Sequence, residues 1–165
     1  MTDEHKSAKA SVIDAFSRLI IERRGEKPRI AEVLDEAGVA RSTFYDHFEG
    51  RDDLLLAALD GPLSVLADAA TGAAGAARLA NLLDHFRENR RGAVDLLSGP
   101  LAPRIVRKLA ERLRGQGAGE SAAAIIADQQ IGLVRLWLTG EVRLTADEAA
   151  SAMVKSAAAL SASLS

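Results

Sequence analysis

The chain has 165 residues, enough for one compact domain or for a small domain joined to a helical body. Apolar residues make up 48% of it and aromatic residues only 4%, and strong helix formers dominate, which favours an all-α protein. Cysteine is absent, which excludes disulfide scaffolds and thiolate metal sites. The polar first residues carry no secretion signal, and no segment approaches the ~20 apolar residues that span a bilayer. A cytoplasmic protein without a membrane partner is therefore expected.

Charge is distributed unevenly along the chain. Residues 1–60 carry nine Lys/Arg against thirteen Asp/Glu, a net charge of −4. The segment Arg87–Arg114 carries eight Lys/Arg against three acids, a net charge of +5. The acidic N-terminal region argues mildly against nucleic-acid binding through a broad positive field. Any such function there must depend on the local placement of a few side chains.

The first third of the chain contains the most specific pattern. An amphipathic helix is predicted over about Ser7–Arg24, because apolar residues recur there at steps of three and four. A second apolar stripe ends at Gly38. In the short helix that follows, Phe44 and Phe48 are four residues apart and lie on one face, opposite polar and basic residues. Residues 29–48 therefore have the pattern of a helix-turn-helix, whose second helix enters the DNA major groove.

The remaining two thirds is predicted to be a helical body. Gly61-Pro62 breaks or kinks a fourth helix, and a junction between about Gly61 and Gly75 divides the chain into domains 1–60 and 61–165. Thr145 and Glu148 predict a capping box for a last helix that runs to about Ser163. The other predicted helices are about Ala76–Arg90, Gly92–Ser98, Leu101–Arg114 and Glu120–Leu138.

The segment AGVARSTFYDHFEGRDDLL resembles the DNA-binding domain of the TetR family of transcriptional regulators, and the similarity covers about Val12–Leu59. It depends on the turn glycine, two core aromatic residues, a Tyr and a His at fixed offsets, and a basic residue that opens the fourth helix. The resemblance implies an N-terminal three-helix DNA-binding domain followed by a C-terminal helical bundle that dimerises and often binds a small effector. We therefore predict a homodimeric transcriptional regulator, a repressor, that binds double-stranded DNA at a pseudo-palindromic operator.

Candidate DNA-binding side chains are those that donate hydrogen bonds to bases or phosphates, or carry positive charge towards the backbone. They are Lys27, Arg29, Arg41, Ser42, Thr43, Tyr45, His47 and Arg51. Arg41 has the chemistry to contact guanine, and the resemblance implies backbone contacts for Tyr45 and His47. Arg51 stands where the family usually has a lysine that pairs with phosphate beside a helix N-terminus. Asp46 has two possible interpretations. Either its carboxylate accepts a hydrogen bond from a cytosine amino group, or the side chain is simply exposed to solvent.

Two helix starts depart from the family pattern. Arg29 and Ala40 occupy the positions where the family usually has a Ser or Thr cap. Neither side chain supplies a hydrogen-bond acceptor, and a missing cap costs about 1 kcal/mol. We interpret these changes as divergence that leaves DNA binding in place.

The body contains a candidate effector pocket and a basic stripe, each with a simpler alternative. The pocket residues are Leu82, His85, Phe86, Leu133 and Trp137. The alternative for His85 is an ordinary partly buried histidine, and for Trp137 with Leu133 it is core or dimer packing. The stripe consists of Arg104, Arg107, Lys108 and Arg112. It is either a solvated helix face or a surface that attracts an acidic ligand or DNA phosphates.

The last two long helices are candidates for the dimer interface, because the resemblance implies a four-helix bundle formed with their copies. The candidate interface residues are Ile126, Gln130, Val134, Trp137, Ala149, Met153, Ser156 and Leu160. Packing inside one chain is the alternative, and adjacent faces of the same helices can serve both purposes.

The sequence offers no catalytic residues, metal site or cofactor motif, so an enzyme is not expected. Two alternatives to an effector-controlled repressor remain. One is a regulator that needs no effector. The other is a helical protein-interaction module with a vestigial DNA-binding head, which a steep salt dependence of DNA binding would exclude.

Overall fold

The computed structural model describes residues 2–23 and 26–164, with side chains from residue 7 onwards. Every regular element in these ranges is a helix, which confirms the all-α prediction. The chain divides into two compact units, Met1–Asp60 and Gly61–Ser165. Each unit has a hydrophobic core of its own residues. The Arg24 end predicted for the first helix lies outside the described residues.

The described residues of the N-terminal unit form four helices: α1 (Thr2–Glu22), α2 (Ile30–Ala37), α3 (Arg41–Tyr45) and α4 (Arg51–Ala58). α1 packs against the other three, so it forms the base on which the short helices lie. Burying a Phe, Leu or Val side chain contributes about 1.5–3 kcal/mol. The buried apolar residues are Val12, Ala15, Phe16, Val33, Leu34, Phe44, Phe48, Leu54, Leu55 and Leu56.

Ion pairs join α1 to α2. The Arg23 guanidinium donates two hydrogen bonds to the Glu32 carboxylate, at 3.0 and 3.1 Å. Arg18 pairs with Glu36 at 2.9 Å. All four side chains retain exposure to solvent, so these pairs add little to stability individually. Their consequence is geometric, because they hold the start and the end of α2 against α1.

From Asp60 to the last described residue, 164, the chain forms six helices: α5 (Asp60–Ala70), α6 (Ala76–Glu88), α7 (Arg90–Ser98), α8 (Ala102–Gly115), α9 (Glu120–Thr139) and α10 (Ala146–Ser163). The segment Gly61–Gly75, where the sequence places the domain junction, is helical as far as Ala70. Pro62 lies in the first turn of α5, where a missing N–H breaks no helical hydrogen bond. Only residues 71–75 form the loop that follows.

α9 is the central helix of the C-terminal unit and contacts α6, α7, α8 and α10. The Gln130 side chain is buried between helices, and its Nε2 donates to the Met153 carbonyl at 3.0 Å. The predicted capping box is confirmed. Thr145 Oγ1 accepts from the Glu148 N–H at 3.2 Å, and the Glu148 carboxylate accepts from the Thr145 N–H at 2.8 Å. Hydrogen bonds to the carboxylate from the Thr145 N–H and from the Thr145 side chain lower the pKa of Glu148 from its ordinary value.

Candidate nucleic-acid interface

The turn between α2 and α3 depends on Gly38. Its φ of 64° lies in the left-handed region, which costs a residue with a Cβ atom about 1–2 kcal/mol. The N–H groups of Gly38 and Val39 both donate to the Leu34 carbonyl, the second at 3.1 Å. The turn is therefore hydrogen-bonded and closed, and it fixes the direction in which α3 leaves α2.

α3 is anchored by its aromatic residues. Phe44 is 0% exposed and Phe48 is 3% exposed, with 5.2 Å between their ring centroids. Helical hydrogen bonding continues beyond the end of α3, because the Phe48 N–H donates to the Phe44 carbonyl at 2.9 Å. Tyr45 packs edge to face on Phe44 at 5.1 Å. The predicted buried pair is confirmed, and it holds a short helix that has too few residues to be stable alone.

The opposite face of α3 carries side chains that are predicted to contact DNA. Arg41, Ser42 and Tyr45 are exposed, and Tyr45 leaves 49% of its surface to solvent. Thr43 and His47 are half-buried. The Arg41 guanidinium lies 5.9 Å from the centre of the Tyr45 ring, close enough for a cation–π contact. Arg41 and Tyr45 therefore form one continuous outer surface of a guanidinium and a phenol.

The cations of this motif differ in whether they are paired. Lys27, Arg41 and Arg51 are exposed, and among the described residues none of them has a carboxylate partner. Arg29 pairs with Glu32 at 3.3 Å, yet 82% of its side chain is exposed, so the pair is weak. Three predicted cations are thus free to meet an external anion, and the fourth is held only loosely.

The two helix starts lack side-chain caps, as predicted, but they are not equivalent. Arg29 and Ala40 are the N-cap residues of α2 and α3, and neither makes a side-chain cap bond. The Glu32 carboxylate accepts from the Arg29 N–H at 2.8 Å, which supplies half of a capping box to α2. Hydrogen bonds from the Arg23 guanidinium and from Arg29 lower the pKa of Glu32 to about 2. α3 has no comparable substitute.

One cation near α3 was missed by the sequence analysis. The Lys9 Nζ lies 5.8 Å from the centre of the Phe48 ring. Lys9 is an exposed residue of α1, and nothing in the spacing of α1 indicates the contact. The contact depends on how α1 packs against α3, which local patterns do not encode. It adds a positive charge beside the end of the recognition segment.

The five predicted pocket residues differ in burial and in whether they line the cleft at Trp137. Trp137 is buried, His85 is exposed, and Leu82, Phe86 and Leu133 are half-buried. Of these five, Trp137 alone lines a cleft of about 220 Å³. The other residues that line this cleft are Arg87, Arg90, Leu138, Gly140, Val142, Arg143 and Leu144. Any ligand in this cleft would be surrounded by arginines that the apolar pattern did not indicate.

Most of the predicted dimer residues lie in the core of the unit itself. Ser156 and Leu160 are half-buried. The fully buried ones are Ile126, Gln130, Val134, Trp137, Ala149 and Met153. Internal packing accounts for their burial, because a side chain already covered within the chain has little surface left for a second copy. A pairing surface on α9 would have to use the adjacent face.

Residues 2–23 and 26–164 contain no group of His, Asp or Glu side chains placed to hold a metal ion. No described helix has both the length and the hydropathy needed to cross a bilayer.

The fold and the exposed face of α3 define a helix-turn-helix DNA-binding domain. Residues 12–58 match the family described as bacterial regulatory proteins, tetR family. Residues 12–58 of the N-terminal unit are therefore a TetR-type DNA-binding domain, which supports a DNA-binding transcriptional regulator. No curated protein matches the chain.

Proposed function

We propose that this protein represses transcription by binding a pseudo-palindromic operator as a homodimer. The observation that carries the proposal is the state of the cations around α3. Lys27, Arg41 and Arg51 are exposed and unpaired within the described residues, although their unit has a net charge of −4. An acidic unit that leaves its cations unpaired on one motif is suited to bind an anion at that motif.

Each exposed side chain has a role that fits its chemistry. Arg41 pairs with the O6 and N7 atoms of guanine, and Ser42 contacts a neighbouring base or phosphate. Tyr45 donates its hydroxyl to a phosphate, and the Arg41 guanidinium beside it keeps the ring in place. Arg51, the first residue of α4, meets a phosphate together with the free N–H groups of that helix end.

The proposed dimer uses a stripe on α9 beside the buried face. Ile125 is 45% exposed, and Leu133 and Leu136 are half-buried at the same helical face. A second copy can cover these apolar side chains. A stable interface needs at least about 1,000 Å² of buried surface.

Dimerisation explains how a small recognition surface becomes specific. Two copies of α3 related by a two-fold axis contact half-sites about 34–36 Å apart, one turn of DNA, or somewhat more. A small effector bound in the C-terminal unit would change the separation of the recognition helices and weaken the fit to successive grooves. The same unit without an effector gives a regulator controlled by its abundance.

Selection from random DNA tests the proposal directly. Purified protein is incubated with random duplexes at moderate salt, and bound sequences are amplified and sequenced through several rounds. We expect an enriched inverted repeat, which reports both sequence recognition and two-fold symmetry. Absence of enrichment would contradict the proposal and support a protein-interaction module with a vestigial head.

The sign of regulation has its own test. The selected repeat is placed across a promoter, and transcript is measured in vitro with increasing protein. A repressor lowers the transcript level, whereas a rise would show an activator. A promoter with a scrambled repeat is the control, and its transcript level is expected to stay constant.

A further inference from the structure

The cleft that contains Trp137 lies where four segments of the C-terminal unit meet. The end of α6 contributes Arg87, the start of α7 contributes Arg90, and the α9–α10 loop contributes Val142, Arg143 and Leu144. The end of α9 supplies the remaining wall. The cleft volume of about 220 Å³ is below the roughly 300–1,000 Å³ of sites for drug-sized ligands, so it suits a smaller molecule.

The walls of this cleft are held in place without a ligand. Trp137 Nε1 donates to the Leu144 carbonyl at 2.8 Å, which ties the loop to the ring. The Val142 N–H donates to the Leu136 carbonyl at 3.1 Å, and Gly140 turns the chain with a φ of 83°. Because the loop is fixed by these bonds, a ligand would pay little to order the site.

The cleft is strongly cationic. Three arginines and no carboxylate line it. Arg87 is paired with Asp84 at 2.7 Å, and Arg90 uses its Nε to donate to the Leu138 carbonyl. Within the described residues, the terminal amino groups of Arg90 and the whole Arg143 guanidinium have no partner. The local charge therefore favours an anion, and two of the arginines have donors available for it.

We propose that this cleft binds single-ring aromatic carboxylates. A planar guanidinium pairs with a carboxylate through two parallel hydrogen bonds, which Arg90 and Arg143 can supply. Val142, Leu144 and the edge of Trp137 offer apolar surface for a ring. The Arg87 guanidinium lies 5.9 Å from the centre of the Trp137 ring, so a carboxylate would approach a cation already held by an aromatic face.

This inference deepens the proposed function and rests on it only in treating the ligand as the effector. Binding to the cleft and binding to DNA are measured separately. If the protein binds the aromatic carboxylate but enriches no DNA sequence, the cleft assignment is supported and the proposed function is contradicted. If it binds an operator but no aromatic carboxylate, the proposed function is supported and the cleft assignment is contradicted.

The single tryptophan makes the cleft directly observable, because all tryptophan fluorescence of the chain comes from Trp137. The full-length protein is titrated with benzoate while that fluorescence is recorded. Benzamide has the same ring without the charge, and inorganic phosphate has charge without a ring. We expect a saturable change with benzoate and none with the other two. No saturable change up to about 10 mM benzoate, or equal responses to benzamide or phosphate, would overturn the proposal.

A pair of matched variants locates the binding. Arg143→Gln removes an exposed guanidinium that has no hydrogen bond or ion pair within the described residues, so the fold is expected to be unaffected. Arg104→Gln removes the same charge from an exposed position of α8 outside the cleft. We expect Arg143→Gln to weaken benzoate binding about tenfold and Arg104→Gln to leave it unchanged. Equal effects of the two variants would show attraction by overall charge and overturn the assignment.

Discussion

The two units of this chain present positive charge to anions in different ways. The N-terminal unit has a net charge of −4, and its free cations are concentrated around α3. The C-terminal unit carries twelve Lys/Arg against ten acids, and three of its arginines surround one cleft. In both units the pairing of individual side chains, more than the net charge, indicates where an anion would bind. Substitutions of single side chains in each unit test this difference.

The largest effect is expected from the core beneath the recognition surface. Phe44→Ala deletes a fully buried ring and should lower the free energy of unfolding of the N-terminal unit by about 3–5 kcal/mol. Tyr45→Phe, a change at an exposed ring, is the matched control and should alter it by less than about 0.5 kcal/mol. Urea unfolding followed by circular dichroism measures both. A small loss for Phe44→Ala would mean that α3 is not held by this ring.

The next effect concerns pairing of the C-terminal units. Ile125→Asp places a charge on the exposed part of the α9 stripe and should raise the dimer dissociation constant about thirtyfold or more. Ala124→Asp puts the same charge on an exposed neighbouring face of α9 and should leave it unchanged. Sedimentation velocity over a dilution series gives the constant. Equal effects, or none, would place the interface elsewhere.

Much of the N-terminal unit could be predicted because its decisive signals are local. A glycine at a left-handed turn and two aromatics four residues apart determine Gly38, Phe44 and Phe48 regardless of the rest of the chain. The family pattern then adds the exposed residues of α3. The N-cap positions of α2 and α3 were also identified from sequence, because the family pattern places its caps there.

The features that escaped prediction are set by tertiary packing or by loops. Lys9 meets Phe48 only because α1 lies against α3. The walls of the Trp137 cleft include Val142 and Arg143, which belong to a loop with no periodic pattern. The apolar periodicity of α9 correctly predicted which face of the helix is buried. It could not show whether Val134 packs within the chain or against a second copy.

A smaller effect tests the α1–α2 connection through its pH dependence. The pKa of Glu32 is lowered from 4.5 to about 2 in the folded protein, chiefly by the Arg23 guanidinium. Its contribution to stability is therefore present above about pH 4.5 and is lost as the pH falls from 4.5 towards 2. Glu32→Gln should lower the thermal midpoint at neutral pH, and the difference from wild type should shrink through this interval. A difference that stays constant with pH would show that the carboxylate is not the source.

The smallest effect is a gain at the start of α3. Ala40 is an N-cap without a side-chain acceptor, so Ala40→Ser should raise the free energy of unfolding by about 1 kcal/mol. Ala40→Val keeps an extended backbone but supplies no acceptor, and it should give no gain. Chemical denaturation of the two variants measures the difference. Equal stability of Ser and Val at this position would mean that the helix start is satisfied by solvent.

The central claim is that the exposed face of α3 reads DNA, and one comparison of operator affinities tests it most directly. Fluorescence anisotropy with the selected operator is measured for wild type, for Arg41→Ala combined with Tyr45→Phe, and for Arg18→Ala, which removes a paired arginine of α1. We expect the double variant to bind the operator at least about tenfold more weakly than wild type, and Arg18→Ala to bind it like wild type. Operator affinity that survives the double substitution would contradict the assignment of the recognition surface.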